Sequence, residues 1–189
     1  MALAPDAWLV HAVLPRSLAN GPGERFVIWT QGCSLGCEGC FNPRTHGSGG
    51  RPVRVEDMVD DVLGTEGIEG ITITGGEPLE QPRHLAEFCR EIRRRRDLGI
   101  VLLTGFTRPE IEADRDRLPA AALADMVIAG RYNARLRLGR GLRGSANKEY
   151  WAVTGRYAPA DFDALPDTEV VIEADGTVLV TGMRAWQEE

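Results

Sequence analysis

The chain has 189 residues, 43% of them hydrophobic and 26% charged, the balance of a soluble globular protein, read as one domain over residues 1–189. Its formal net charge of −6 speaks against a nucleic-acid surface, because phosphate binding wants a basic face. No apolar run is long enough to cross a bilayer, and Met1 to Asp6 lack the basic and long apolar regions of a secretory signal, so a cytoplasmic setting with no membrane partner is expected.

Trp8 to Leu14 reads as a strand, and Asn20-Gly21-Pro22-Gly23 as a turn leading into the first core strand, Phe26 to Thr30. A cysteine-bearing loop follows. Val55, Met58, Val59, Val62 and Leu63 then repeat at helical spacing, and Ile71 to Thr74 forms the next strand. Leu85, Phe88, Cys89 and Ile92 mark a second helix, whose Arg90 to Arg96 run reads as a solvated face. Ile100 to Thr104, a weaker helix, and Met126 to Ala129 continue the alternation. Ala134 to Lys148 is rich in Arg and Gly with little periodicity, and reads as a long loop of the kind that is often functional. Glu169 to Ala174 and Thr177 to Thr181 flank Asp175-Gly176, a hairpin turn signal.

This order predicts an α/β fold of repeated βα units. A closed eight-unit barrel takes about 250 residues. The chain is too short for that, so the expectation is an incomplete (β/α)6-type barrel with a parallel sheet and a C-terminal β-hairpin, or else a doubly wound sheet. In either case chemistry gathers on loops after the strand C-terminal ends.

Three of the four cysteines, Cys33, Cys37 and Cys40, sit in one such loop. In a reducing compartment this crowding reads as metal or iron–sulfur ligands before disulfides. Three nearby thiolates without a fourth leave one position of a cluster open, and an open position is what catalysis at a metal requires. Gly32, Gly36 and Gly39 let the backbone turn tightly around such a core. Spacing alone leaves a structural zinc site open, with His46 as the fourth ligand. Cys89, on the apolar face of its helix, reads as a buried thiol. Gly75-Gly76-Glu77-Pro78 follows the next strand and taken alone is only a turn signal.

The spacing C-x3-C-x2-C after the first core strand resembles the radical SAM superfamily. The fuller strings, Gln31-Gly32-Cys33 and Cys37-Glu38-Gly39-Cys40-Phe41-Asn42-Pro43, are similar to the compact activating enzymes of anaerobic ribonucleotide reductases. Where the superfamily often has an aromatic before the third cysteine, this chain has Gly39 and places Phe41 after it, as the compact activases do. Gly75 to Pro78 matches the superfamily's Gly-Gly-Glu-Pro motif. Gly130-Arg131-Tyr132 and Gly144-Ser145-Ala146-Asn147 resemble further segments of the compact activases, without an assigned role. The resemblance runs from Trp8 to Met183.

It implies one [4Fe-4S] cluster on Cys33, Cys37 and Cys40, and S-adenosylmethionine on the open iron. Gly75, Gly76, Glu77 and Pro78 would meet the methionine amino group, with Gly39, Phe41, Thr104 and Gly105 as further cofactor contacts. An electron from a flavodoxin- or ferredoxin-like donor would cleave the sulfonium bond to give methionine and a 5′-deoxyadenosyl radical. No catalytic side chain is implied beyond the cluster and S-adenosylmethionine. The implied partner is a protein substrate, a glycyl radical enzyme such as anaerobic ribonucleotide reductase. The alternatives are a stand-alone radical SAM enzyme acting on a peptide or small metabolite and, more remotely, a zinc-stabilised binding module.

Overall fold

The computed structural model describes residues 7–172 and 174–183. Met1 to Asp6, read above for a targeting signal, and Glu173, inside the predicted hairpin, lie outside the described residues. Among the described residues no helix is long and apolar enough to cross a membrane.

Strand β1 (Trp8–Ser17) turns into β2 (Arg25–Thr30), and β3 (Arg51–Val53) and α1 (Val55–Gly64) follow the cysteine loop. Then come β4 (Gly70–Gly75), α2 (Pro82–Arg95), β5 (Gly99–Leu103), the short helices α3 (Arg108–Glu112) and α4 (Arg117–Ala121), and β6 (Met126–Ala129). The chain closes with β7 (Arg137–Arg140), β8 (Arg143–Ser145), β9 (Glu149–Ala152), β10 (Glu169–Ile172) and β11 (Val178–Thr181).

Seven strands form one sheet in the order β3-β1-β2-β4-β5-β6-β9. The pairs β2–β4, β4–β5 and β5–β6 are parallel, while β1 runs antiparallel to both β2 and β3, and β9 antiparallel to β6. The α/β reading with a parallel sheet and a C-terminal hairpin therefore holds. The parallel part, however, counts four strands rather than the six expected. The reason is connectivity. β1 reaches β2 through a short turn, and a short connection can only pair strands antiparallel. Only a single 3-10 turn, Ala134–Leu136, and no α-helix separates β6 from β9. The supposed loop Ala134 to Lys148 contains the antiparallel ribbon β7–β8, and the weak helix resolves into α3 and α4. Pro15 lies where the register of β1 slips between Leu14 and Ser17, as a residue without an N–H donor requires.

The sheet has two unlike faces, set by the period-two alternation of strands. Ile28, Ile71, Ile73, Ile100, Leu102 and Val127 point to one side and pack under α1 and α2, with Trp8 and Phe88 in ring contact at 5.2 Å. Helix α2 opens on Pro82 and closes on Arg93 to Arg95, matching the missing first donor and the negative C-terminal pole. Val101, Met126 and Ile128 point to the other side, where Leu142 and Phe162 cover them. Farther along that side the sheet is open.

At the N-terminal ends of the parallel strands a buried cation ties three of them together. Arg25 donates to the carbonyls of Ile71 (2.8 Å), Gly99 (2.9 Å) and Pro22 (3.1 Å), and to the Tyr157 hydroxyl (2.6 Å). Burial pushes its pKa down, against the pull of Tyr157. A Cβ on Gly70 would fall 2.2 Å from the guanidinium, and one on Gly99 1.9 Å from the Tyr157 hydroxyl. These strands start on glycine because this clamp lies across them. Replacing Arg25 with Met keeps apolar bulk but removes the charged donor that the Ile71 and Gly99 carbonyls share. The expected loss is about 3 kcal/mol of stability, read as a lower midpoint in urea unfolding.

Candidate functional site

The cysteine loop leaves the C-terminal end of β2. Gly32, Gly36 and Gly39 have φ of +98°, +56° and +69°, which side chains resist, so the chain can fold back repeatedly over a few residues. Backbone bonds fasten the loop at its base: Gly32 N–H donates to Thr45 O at 2.8 Å and Cys33 N–H to His46 O at 3.3 Å. Cys33, Cys37 and Cys40 are free, half-buried and line one cleft. Burial pushes the Cys33 thiol up, and the charges of Glu77 and Glu80 add to it.

The glycine loop at the end of β4 lies against that base. Gly76 N–H donates to Thr30 O and Glu77 N–H to Gly32 O, both at 2.8 Å. A Cβ on Gly76 would stand 2.2 Å from Gly32 O, and one on Gly75 2.5 Å from the Thr30 nitrogen. The two glycines are therefore required by the contact of one loop with the other, before any ligand is considered. Glu77 is buried beneath them. Its carboxylate accepts from Thr104 Oγ1 (2.7 Å), Gly105 N–H (2.7 Å) and Leu79 N–H (2.9 Å). Burial raises its pKa and these donors oppose the rise. Thr104 Oγ1 also accepts from Phe106 N–H at 3.1 Å. The Glu77 carboxylate and the Thr104 hydroxyl thus join the ends of β4 and β5. What they do is hold the wall in place.

Most of the predicted site residues come together. The three cysteines, Phe41, Gly75 to Glu77, Thr104 and Gly105 line one open cleft. Two do not line it. Gly39 faces Ala134, whose Cβ would be 3.1 Å from an added Cβ. Pro78 is buried as the first residue of a 3-10 turn, Pro78–Glu80.

Among further cleft residues, three were given no role from sequence, Tyr132 only as part of an unassigned segment. Lys148 stretches from the start of β9 to donate to Thr104 O at 3.1 Å and to Gly130 O. Burial lowers its pKa, while Glu77, Cys37 and Cys40 favour its charge. It sets a cation beside thiolates that would carry a negatively charged group. Tyr132 meets Phe41 edge to face, centroids 5.4 Å apart. Leu142 turns inward from the β7–β8 ribbon with φ of +58°, a strained conformation compensated by burial. None announces itself in sequence, since each acts through an element that folds back from far along the chain.

A second cleft opens off the first and shares Phe41, Asn42, Thr74 and Leu103 with it. Its far wall is the last hairpin, Leu179 to Met183. Glu169 anchors that hairpin by accepting from Ser17 Oγ at 2.5 Å, and Asn20 by donating to Thr181 Oγ1 at 2.9 Å.

The donor set fits a cubane cluster: three thiols on one cleft wall, glycine turns beneath them and a buried cation nearby. Among the described residues no three His, Cys, Asp or Glu side chains converge on a point where one metal ion could sit. A cubane instead takes one thiolate at each of three separate corners, which suits thiols spread along a wall.

The chain belongs to the 4Fe-4S single cluster domain family, whose model matches residues 19–151, and to the compact activating type of the radical SAM superfamily. It is 30% identical over 149 residues to the anaerobic ribonucleoside-triphosphate reductase-activating protein of Enterobacteria phage T4, a match covering 75% of this chain and 92% of that protein. It is 35% identical over 91 residues to the pyruvate formate-lyase-activating enzyme of Staphylococcus epidermidis, and 38% over 85 residues to that of Listeria monocytogenes. Those two matches cover 44% and 42% of this chain but only 36% and 34% of the longer relatives. QueE from Escherichia coli superposes with a TM-score of 0.47 at 16% identity, covering 68% of this chain and 73% of that one. The family's cofactors are a [4Fe-4S] cluster with three cysteine ligands and S-adenosylmethionine.

Two outcomes are expected from this geometry. Gly76→Ala drives a methyl onto the Gly32 carbonyl and should cost about 2 kcal/mol, together with a lower iron content after anaerobic reconstitution; urea unfolding and an iron assay read both. Arg131, at the end of β6, donates to Glu110 at 2.5 Å and holds its carboxyl down to about 2, against an ordinary 4.5. A depressed carboxyl stabilises the fold above its ordinary value and loses that contribution as pH falls from about 4.5 to about 2. Glu110→Gln should therefore flatten the acid limb of stability in that window, as followed by circular dichroism.

Proposed function

We propose that this protein is a radical SAM activase that installs a glycyl radical on a partner enzyme of the anaerobic ribonucleotide reductase kind. Cys33, Cys37 and Cys40 hold the cluster, and Gly75, Gly76 and Gly105 supply the backbone wall against which S-adenosylmethionine lies. When bound, the two groups supply a 5′-deoxyadenosyl radical by one-electron cleavage of the sulfonium bond. The chain's own residues bind, orient and shield. Glu77 keeps the glycine wall at fixed distance from the cysteine loop. Lys148 adds a positive field. Leu35, Leu103 and Leu142 give the cleft apolar lining that excludes water.

The observation that carries this reading is the second cleft. It runs from the shared residues Phe41 and Thr74 out to the hairpin wall, so a substrate there lies directly beside the first. On this reading the sheet is a barrel left short, and its open side admits a loop of a partner protein rather than a small molecule enclosed on all sides. The T4 relative, 92% of which is matched, carries the name of such an activator. Reducing cytoplasm is the setting in which the thiols and the cluster persist.

The test is anaerobic. Reconstituted protein with dithionite, S-adenosylmethionine and a glycyl radical enzyme of the same organism should yield 5′-deoxyadenosine and a glycyl radical signal in EPR. Cys37→Ala should give neither. Deoxyadenosine without a glycyl signal on any such enzyme would overturn the protein-substrate reading and favour a peptide or metabolite.

A further inference from the structure

Charge is unevenly distributed in this chain. Residues 131–148 contain six basic side chains, Arg131, Arg135, Arg137, Arg140, Arg143 and Lys148, and no acidic one, in a protein of net charge −6. The fold places this segment against the cysteine loop. Glu38 and Gly39 on one side and Arg131 to Arg135 and Asn147 on the other line a common groove. An added Cβ on Gly144 would lie 2.7 Å from the Phe41 ring, so the ribbon packs directly on the residue that follows Cys40.

Three of the six cations are already engaged. Arg131 pairs with Glu110, Arg143 stacks on Tyr150 with 4.8 Å to the ring centroid, and Lys148 is bonded to carbonyls inside the cleft. Arg135, Arg137 and Arg140 are exposed, and among the described residues none of them forms an ion pair. Leu136, 45% exposed, stands between two of them. The segment is held firmly. Asn133 N–H donates to Ser145 Oγ at 3.1 Å, Ala146 N–H to Leu136 O at 2.8 Å, and Asn147 Nδ2 to Arg131 O at 2.9 Å. A pre-ordered surface pays little entropy on docking.

We infer that the β7–β8 ribbon, through Arg135, Arg137 and Arg140, is the docking face for an acidic one-electron carrier protein that reduces the cluster. The inference rests on the proposal above that the cysteine loop holds a redox cluster. Such a cluster must receive an electron from outside, and an exposed cationic rim beside its loop is where a donor gains both proximity and charge complementarity. Redox encounters are small and steered by charge, so three unpaired arginines, two of them flanking Leu136, suffice. The reduced carrier, a flavin or iron–sulfur protein, gives up one electron and the cluster accepts it; no bond forms or breaks at this face. The other basic run, Arg90 to Arg96, is at the wrong end. Helix α2 starts beside the glycine loop and runs away from it for 14 residues, roughly 20 Å. Arg93, Arg94 and Arg95 are also tied to Asp125, Glu91 and Asp60.

The test compares the native protein with the triple variants R135E/R137E/R140E and R135Q/R137Q/R140Q. The control is R90E, on the exposed face of α2 past its middle. Iron content and circular dichroism must match the native protein; if the reversal variant fails there, the glutamine variant carries the test. With dithionite as reductant, all variants should cleave S-adenosylmethionine as the native protein does. With reduced acidic flavodoxin at low salt, the reversal should slow cluster reduction about tenfold or more, and the glutamine variant by less. The binding of oxidised flavodoxin, measured by calorimetry, should weaken in parallel and lose most of its salt dependence; R90E should change nothing. Flavodoxin rates and affinities unaltered in the reversal variant overturn the inference. So does tighter binding of a labelled oligonucleotide than of flavodoxin at the same face. Failure of the native protein to cleave S-adenosylmethionine even with dithionite would instead sink the proposed function.

Discussion

The backbone at Gly76 lies against the backbone at Gly32, and the functional end of the molecule is organised around that contact. Two loops that leave neighbouring parallel strands are joined there by Gly76 N–H to Thr30 O and Glu77 N–H to Gly32 O. Parallel strands in register bring their C-terminal ends side by side, as the pairing of Thr30 with Gly75 shows. A side chain at Gly75 or Gly76 would force the loops apart by clashing with backbone that has no room to move. Glu77 extends the junction to the third strand through Thr104 and Gly105. One carboxylate then fixes the wall on which the cysteines, the glycines and the β5 end meet.

The opposite end of the sheet is held by a charge of the other sign. Arg25 bridges β2, β4 and β5 through carbonyls, as Glu77 bridges strand ends through donors. Between the two lies an apolar sheet whose strands are buried on both faces where helices and the C-terminal segments cover it. A buried ion is costly unless it is hydrogen-bonded; Glu77 meets three donors, and the two terminal nitrogens of Arg25 are engaged while its Nε has no partner. The acid-stable pair of Arg131 and Glu110 adds a smaller, exposed link between β6 and α3.

Approach to the cysteine loop comes from two sides. One side opens to the cleft walled by the last hairpin, the other to the groove under the basic ribbon. The separation follows from topology. The antiparallel strands β3 and β1 at one side and β9 at the other leave the second face of the sheet uncovered by helices, and the chain fills only part of it with β7, β8 and the turn at Phe162. The half-covered face therefore leaves the cysteine loop reachable by two separate openings.

Much was legible in the residues alone. The helices α1 and α2 follow from apolar spacing, the parallel strands from short β-branched runs, and the hairpin from Asp175-Gly176, because each signal is local. The cysteine spacing and Gly75 to Pro78 marked the cleft for the same reason. The strand count was not legible, since strand direction depends on how connections close in space. Ala134 to Lys148 looked structureless because its ribbon is stabilised by packing on Phe41 and Tyr132 rather than by periodicity. The sequence by itself determined which local motifs, the three cysteines and Gly75 to Glu77, gather at the cleft. Only the tertiary structure decided that Gly76 is glycine for Gly32, that Glu77 braces the wall from within, and that Lys148 and the arginine ribbon arrive beside the cysteines. Those facts rest on contacts between residues distant in the chain, and such contacts leave no pattern in the residues that make them.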